Sequence, residues 1–191
     1  MSTASKYYDV WIDVYVPDRW LITRSTNDRG EWITPWTFRQ GKSVHLEEEP
    51  LFPLYRPGLA LDYSATEGGI VVLNQRLVSL WETLGIQNEY QLIPARVEGQ
   101  AERYFILNTL NIIRCVDEAR CQEFTFWEPQ HGEPDRVGHY RNVRGLKIDP
   151  SLVGDANIFR PWGWTVVLIV SERIKQAMEE AGITGARFVE V

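Results

Sequence analysis

The stretch from Trp162 to Val191 narrows the choice of fold more than any other part of this chain. Trp164–Val170 reads WTVVLIV, an almost unbroken β-branched and aliphatic run that predicts a strand covered on both faces. Ser171 follows as an N-cap, and Glu172 lies in the first turn, where a negative charge suits the helix dipole. Ile174, Ala177, Met178 and Ala181 recur at helical spacing, and Gly182 stands where a C′ glycine stops a helix. After a Thr184-Gly185 turn, Ala186–Val191 predicts a closing strand, and the crossover is long enough to return it parallel to the first. Nothing in this unit carries chemistry.

The rest of the chain supplies the sheet that such a unit needs. Alternation in Tyr7–Val16 sets Tyr8, Val10, Ile12, Val14 and Val16 on one side and Asp9 and Asp13 on the other, a half-buried strand ended by Pro17-Asp18. Trp20–Thr23 and Ser43–Leu46 are short strand candidates, and Ser25–Gly30 is turn chemistry. Pro50, Pro53 and Pro57 exclude a regular helix or central strand from the segment between them, which reads as an extended connection. Asn74 caps a predicted helix over Gln75–Leu84, with Leu77, Leu80, Trp81 and Leu84 as its stripe and Gly85 as its stop. Glu89–Val97 and Arg103–Ile113 predict an antiparallel hairpin whose second arm bends near Asn108 or Asn111. Phe124–Trp127 is a short aromatic strand, and Glu128–Gly138 is a loop by composition. These elements sum to an α+β fold: a mixed, largely antiparallel sheet with few helices and a C-terminal strand–helix–strand unit. The 191 residues suit one domain, or two lobes sharing an interface, a β-rich lobe over about 1–58 and an α+β lobe over about 59–191.

Composition removes several classes of function. A hydrophobic share of 44% and a charged share of 24% are those of an ordinary globular protein. A net charge of −6 argues against binding a phosphate backbone, so nucleic acid is not an expected partner. No apolar stretch approaches the roughly 20 residues of a membrane span. Cys115 and Cys121 are too few for a disulfide framework or a four-ligand zinc site. Met1–Tyr8 has no apolar core of a signal peptide, which predicts reduced thiols and a cytoplasmic protein.

A search for chemistry yields no catalytic residue, cofactor or metal site. Gly41-Lys42-Ser43 echoes a phosphate-binding loop, but the glycine that must precede it is replaced by Trp36. His131, Glu133, Asp135 and His139 are the best metal candidates, yet their spacing matches no structural site and a solvated loop is the better reading. Cys115, at the end of a hydrophobic strand, reads as buried rather than nucleophilic. Asp117, Glu118 and Asp149 are carboxylates whose separation a sequence does not define. Glu47, Glu48 and Glu49 read as a solvated acidic turn, since consecutive residues do not share a face. Trp162-Gly163-Trp164 is different in kind. Two indoles flank a glycine just after Arg160, either as one core Trp and one edge cover, or as a platform for a partner. Arg160, Trp162 and Trp164, with the acidic Glu47, Glu48 and Glu49, are the candidate partner-binding residues.

Several short motifs also occur in a recognisable order. They are Tyr104-Phe105-Ile106-Leu107-Asn108, then Asn111 and Cys115-Val116-Asp117, then Gly154-Asp155-Ala156-Asn157-Ile158-Phe159-Arg160 and Gly163-Trp164. Ser171-Glu172-Arg173-Ile174-Lys175 and Gly182-Ile183-Thr184-Gly185-Ala186-Arg187-Phe188 complete the pattern. From Tyr104 to Val191 the chain resembles a bacterial immunity-protein family typified by a Myxococcus protein, antidotes encoded beside polymorphic toxins in competition systems. The resemblance implies a cognate toxin as partner and carries over no binding residues. Two readings stand: an immunity protein that neutralises its toxin by direct contact, or a small enzyme or small-molecule-binding protein with a site between the lobes. In the first, an acidic surface speeds encounter with a basic toxin. Self-association through an uncovered edge strand stays open.

Overall fold

Successive strand side chains point to opposite faces, so a run of consecutive apolar residues needs apolar cover on both. The computed structural model describes residues 5–27 and 29–191; residues 1–4, the start of the segment without a signal-peptide core, and Asp28, inside the turn at 25–30, lie outside them. In chain order the strands begin with β1 (Tyr7–Ile12), β2 (Leu21–Ile22), β3 (Leu51–Phe52), β4 (Leu54–Arg56), β5 (Tyr63–Ala65), β6 (Val71–Asn74) and β7 (Tyr90–Val97). They continue with β8 (Tyr104–Thr109), β9 (Ile112–Ile113), β10 (Glu123–Phe126), β11 (Tyr140–Arg144), β12 (Ile158–Pro161), β13 (Ile169–Ser171) and β14 (Ala186–Glu190). The helices are α1 (Gln75–Thr83) and α2 (Glu172–Glu180). None of the helices is long and apolar enough to cross a membrane among the described residues.

Two five-stranded sheets carry the fold, in the orders β14-β1-β13-β12-β9 and β3-β7-β8-β6-β5. Pairings are antiparallel except β12 with β9 and β3 with β7. The α+β class with a mixed, largely antiparallel arrangement and a terminal β13–α2–β14 unit is therefore observed. Strands β13 and β14 do run in the same direction, but β1 lies between them and is antiparallel to both.

Strand parity divides the apolar residues among three cores. Tyr8, Val10, Ile158 and Val170 from the first sheet meet Val71, Leu73 and Leu107 from the second in a central layer. Helices α1 and α2 close that layer with Leu77, Val78, Trp81, Ile174 and Met178. The neighbours in sequence face outward: Val72 and Ile106 join Trp20, Phe38 and Phe52 beneath the second sheet. Tyr7, Phe159 and Ile169 join Cys115 and Ile148 beneath the first. The inner strands of both sheets are covered on both faces, which is why β6, β8 and β13 read as apolar runs.

Local signals place the helices where expected. The Asn74 side chain accepts from the Leu77 amide at 3.0 Å, and Gly85 follows α1 with φ 69°. Ser171 precedes α2, but its hydroxyl donates to Asn157 Oδ1 at 2.9 Å and makes no cap bond. Gly185 is needed at the turn before β14: its φ is 91°, and a Cβ there would lie 2.1 Å from the Tyr63 carbonyl oxygen. Asp62 accepts from the Thr184 amide and hydroxyl at 2.8 and 2.9 Å and fixes the same turn.

Four strand expectations are corrected. The strand expected over 164–170 begins only at Ile169, because the carbonyls of Thr165 and Val167 turn inward to accept from Arg160 Nη1 at 3.0 Å each. Carbonyls turned onto a guanidinium do not point along a sheet towards a neighbouring strand, and Val166 is left 49% exposed. The first strand stops at Ile12 rather than Val16, with Val14 58% exposed. Segment 43–46 forms no strand; the Gln91 side-chain amide takes both the N–H and the C=O of Val44 at 2.8 Å each, in place of a partner strand. The hairpin arm over 103–113 breaks at Leu110-Asn111, and the chain passes there from one sheet to the other. Strand β11, polar and largely exposed, has no sequence signal and pairs with β10 as a separate ribbon.

Cover on both faces also buries Asp9, expected on a solvent face, to 6% exposure. Burial pushes its carboxyl up from 3.8 to about 6, against the opposing pull of the Trp11 indole N–H at 2.7 Å and of the Arg160 charge. A raised native pKa means that the folded chain holds this proton more tightly than the unfolded one. The stabilisation is complete below about pH 4 and is lost as pH rises to about 6. Asp9→Asn is expected to gain roughly 1–3 kcal/mol on the wild type across that window. Urea denaturation at a series of pH values measures it, and parallel curves for the two proteins would refute it.

Candidate partner-binding face

The face is organised by residues 32–38. Pro35 opens a 3-10 turn over Pro35–Phe38, and the Thr34 hydroxyl accepts from the Trp36 amide at 3.3 Å. The turn drives Phe38 into the core and turns Trp36 outward, 43% exposed, with Trp32 59% exposed beside it. The Arg24 guanidinium lies 4.8 Å over the Trp32 ring. Clefts open on either side of this segment, and Thr34 lines both.

The first cleft, about 600 Å³, is bounded by Trp32, Glu47, Glu48, Glu49, Arg29 and Arg96. Arg96 Nε and Glu49 Oε1 are 4.0 Å apart and both well exposed, a weak pair in water. The second cleft, about 380 Å³, is bounded by Trp36, Trp127, Trp164, Arg39, Arg136 and Arg141, with His139 at its wall. Arg136 sits over both Trp36 and Trp127, at 5.8 and 5.3 Å, and Arg141 lies 5.5 Å from Trp127.

The β10–β11 ribbon builds the second cleft. Phe124, Phe126 and Tyr140 pack ring on ring, and the Tyr140 hydroxyl donates to Glu118 at 2.7 Å. The Tyr140 amide donates to the Gly163 carbonyl at 3.0 Å, tying the ribbon to the Trp162-Gly163-Trp164 turn. Gly163 has φ 77°, and a Cβ there would press on the Tyr140 ring at 3.2 Å, so only glycine allows this approach without displacement. Trp164 then lines the cleft, while Trp162 is held between the Arg114 guanidinium, 3.2 Å from its centroid, and the edge of His139 at 4.8 Å.

Of the residues expected at an interface, Trp164 and Glu47, Glu48 and Glu49 are brought to one face, on either side of residues 32–38, and Trp162 adjoins them. Both Trp162 and Trp164 are half-buried, so the alternative of one core and one edge Trp does not hold. Arg160 is not on the face. It is 2% exposed, and burial and the nearby Arg39 charge lower its pKa to about 10, still protonated at neutral pH. Trp32, Trp36, Trp127, Arg136 and Arg141 were not singled out by the sequence. The available signal was indoles set among prolines, glycines and turns, outside any periodic segment.

The candidates for other chemistry are engaged structurally. His131 Nδ1 accepts from the Glu128 amide at 2.9 Å and its Nε2 lies 3.0 Å from Arg141 Nη1. Among the described residues no three His, Cys, Asp or Glu side chains are placed to share a metal ion. Burial and the Asp149 charge push the Cys115 thiol up to about 12, which leaves it protonated and a poor nucleophile at neutral pH. What the face offers is aromatic area with separated charges.

The family model described as "Immunity protein family (Imm11)" matches residues 14–191. The chain belongs to this immunity protein family. The match starts far upstream of Tyr104, where the resemblance read from the motifs began, and takes in both clefts. No curated protein matches the chain.

Proposed function

We propose that the chain confers immunity in the cytoplasm by binding its cognate toxin directly, as the antidote of a polymorphic toxin system, across the face centred on residues 32–38. One observation carries this reading. Five of the eight tryptophans, Trp32, Trp36, Trp127, Trp162 and Trp164, gather around two clefts that share Thr34. Trp20 and Trp81 are core residues, and Trp11 is exposed on β1. Exposed and half-buried indoles inside a charged rim are the composition of an interface hot spot. Inhibition on this account is occlusion, with no bond made or broken.

Coexpression with the toxin encoded beside the gene tests it. The wild type restores growth and copurifies with the toxin. Trp36→Ala with Trp164→Ala weakens the complex by on the order of a hundredfold or more, at about 2 kcal/mol for each hot-spot residue. Trp11→Ala, outside the face, leaves binding unchanged. A toxin that never copurifies, or that binds the double variant as tightly as the wild type, ends the proposal.

A further inference from the structure

The cleft between Trp36, Trp127 and Trp164 is cationic in a chain whose net charge is −6. Arg39, Arg136, Arg141 and His139 line it, and no Asp or Glu does. Among the described residues Arg136 has one carboxylate near, Glu133 at 3.8 Å with both side chains about half exposed, and Arg39 and Arg141 have none within ion-pair distance. Arg39 is held by the carbonyls of Gly68 and Gly69 at 3.3 and 2.9 Å, and its buried Nε has no hydrogen-bond partner.

The geometry favours an oxyanion with two acceptor oxygens side by side. Arg136 and Arg141 rest against indole faces, and with Arg141 Nη1 3.0 Å from His131 Nε2 and Arg136 Nε turned to Glu133, the remaining guanidinium N–H groups are left to donate to an oxyanion. Carboxylates and phosphates both present such oxygens. The neighbouring cleft separates them. A nucleic-acid backbone, with a charge at every few ångströms, would have to pass Thr34 into the cleft of Glu47, Glu48 and Glu49 and be repelled there. A polypeptide can carry a local cluster of acids and change sign beyond it.

Resting on the direct-binding reading above, we infer that this cleft takes a carboxylate-bearing segment of the toxin, with apolar or aromatic side chains between its acids to lie on the indoles. The acidic cleft beyond Thr34 takes a basic stretch of the same partner. The two clefts of opposite sign fix the direction in which the partner lies, and reversing it sets like charges against each other. This differs from a uniformly acidic surface drawing in a basic toxin.

Fluorescence anisotropy with a short labelled peptide alternating Glu and Leu tests the cleft apart from the toxin, with a Lys–Leu peptide and a single-stranded oligonucleotide as comparisons. The Glu–Leu peptide binds, more weakly as salt rises, and Arg136→Glu with Arg141→Glu reduces its affinity by on the order of a hundredfold. Both side chains are exposed, and the melting temperature checks the fold. Arg136→Lys with Arg141→Lys keeps the charge without the guanidinium and binds with intermediate affinity, so the test survives if the reversal misfolds. Glu47→Gln, Glu48→Gln and Glu49→Gln together leave peptide binding in place. Absence of Glu–Leu binding, indifference to the arginine changes, or tighter binding of the oligonucleotide overturns the inference. If the toxin copurifies equally well with the charge-reversed protein, the inference fails and direct binding stands. If the peptide binds and the toxin does not, direct binding fails, and the assignment of the segment to the toxin fails with it.

Discussion

Replacing Arg160 with methionine is expected to cost about 3–5 kcal/mol, the range for removing one member of a buried charged set. At about 2–4 °C per kcal/mol for a chain of this size, the melting temperature falls by roughly 10 °C. The guanidinium donates to the carbonyls of Thr165 and Val167 at 3.0 Å and reaches that of Val166 at 3.5 Å, holding the loop that leads into β13. Without it those carbonyls lose their donor, and Asp9 keeps a buried charge with its neighbouring cation gone. Asp9→Asn added to Arg160→Met is therefore expected to restore part of the loss. The destabilisation is smaller at pH 5 than at pH 8, because protonation of Asp9 removes the unbalanced charge. A melting temperature unchanged in the single variant would show that the guanidinium does not hold this loop.

Glu89→Ala is expected to cost about 3 kcal/mol or more, since hydrogen bonds to a charged acceptor are worth roughly 1.5–3 kcal/mol each and several are lost together. The Glu89 carboxylate accepts from the amides of Asn157 and Ile158 at 2.6 and 2.8 Å, from Asn157 Nδ2 at 2.9 Å and from Asn111 Nδ2 at 3.3 Å. It lies just before β7 in one sheet and holds the start of β12 in the other. Hydrogen exchange at the Asn157 and Ile158 amides reports the clamp, with loss of protection there ahead of the rest of β12. Full protection in the variant, with an unchanged denaturation midpoint, would contradict it.

The first prediction falls on a motif that carries the family resemblance, and the second on a residue whose partners lie in such motifs. Asn111, Asn157, Ile158 and Arg160 belong to those motifs, and each is bound into internal hydrogen bonds. Asn108 Nδ2 likewise donates to the Lys42 carbonyl and Gln91 Oε1. These stretches are parts of the scaffold. The indoles of the proposed binding face lie partly upstream, in the segment 32–38 where no motif is apparent.

Local rules were legible wherever the cause was local. Asn74 caps α1 because its side chain reaches an amide three residues on, and Gly85 and Gly182 end helices because each adopts a positive φ, 69° and 62°. The hairpin β7–β8 and the terminal β13–α2–β14 unit follow from runs of apolar residues between turns. Errors arose where a distant group intervened. Gln91 captured Val44 from 47 positions away, and β13 was shortened by a guanidinium from the preceding strand. Asp9 looked solvated by alternation, but a second layer covers that face of β1.

The sequence by itself determined the α+β class, the helices and their stops, the closing strand–helix–strand unit and the likeness to immunity proteins. Spacing and capping act over a few residues, so one chain read in order contains them. Tertiary structure alone decided that Arg160 is internal, that Glu89 clamps two sheets across 68 positions, and that scattered tryptophans form one face. A buried charge is stable only where partners from remote segments meet it, and an indole becomes surface only after packing has chosen which ones to cover.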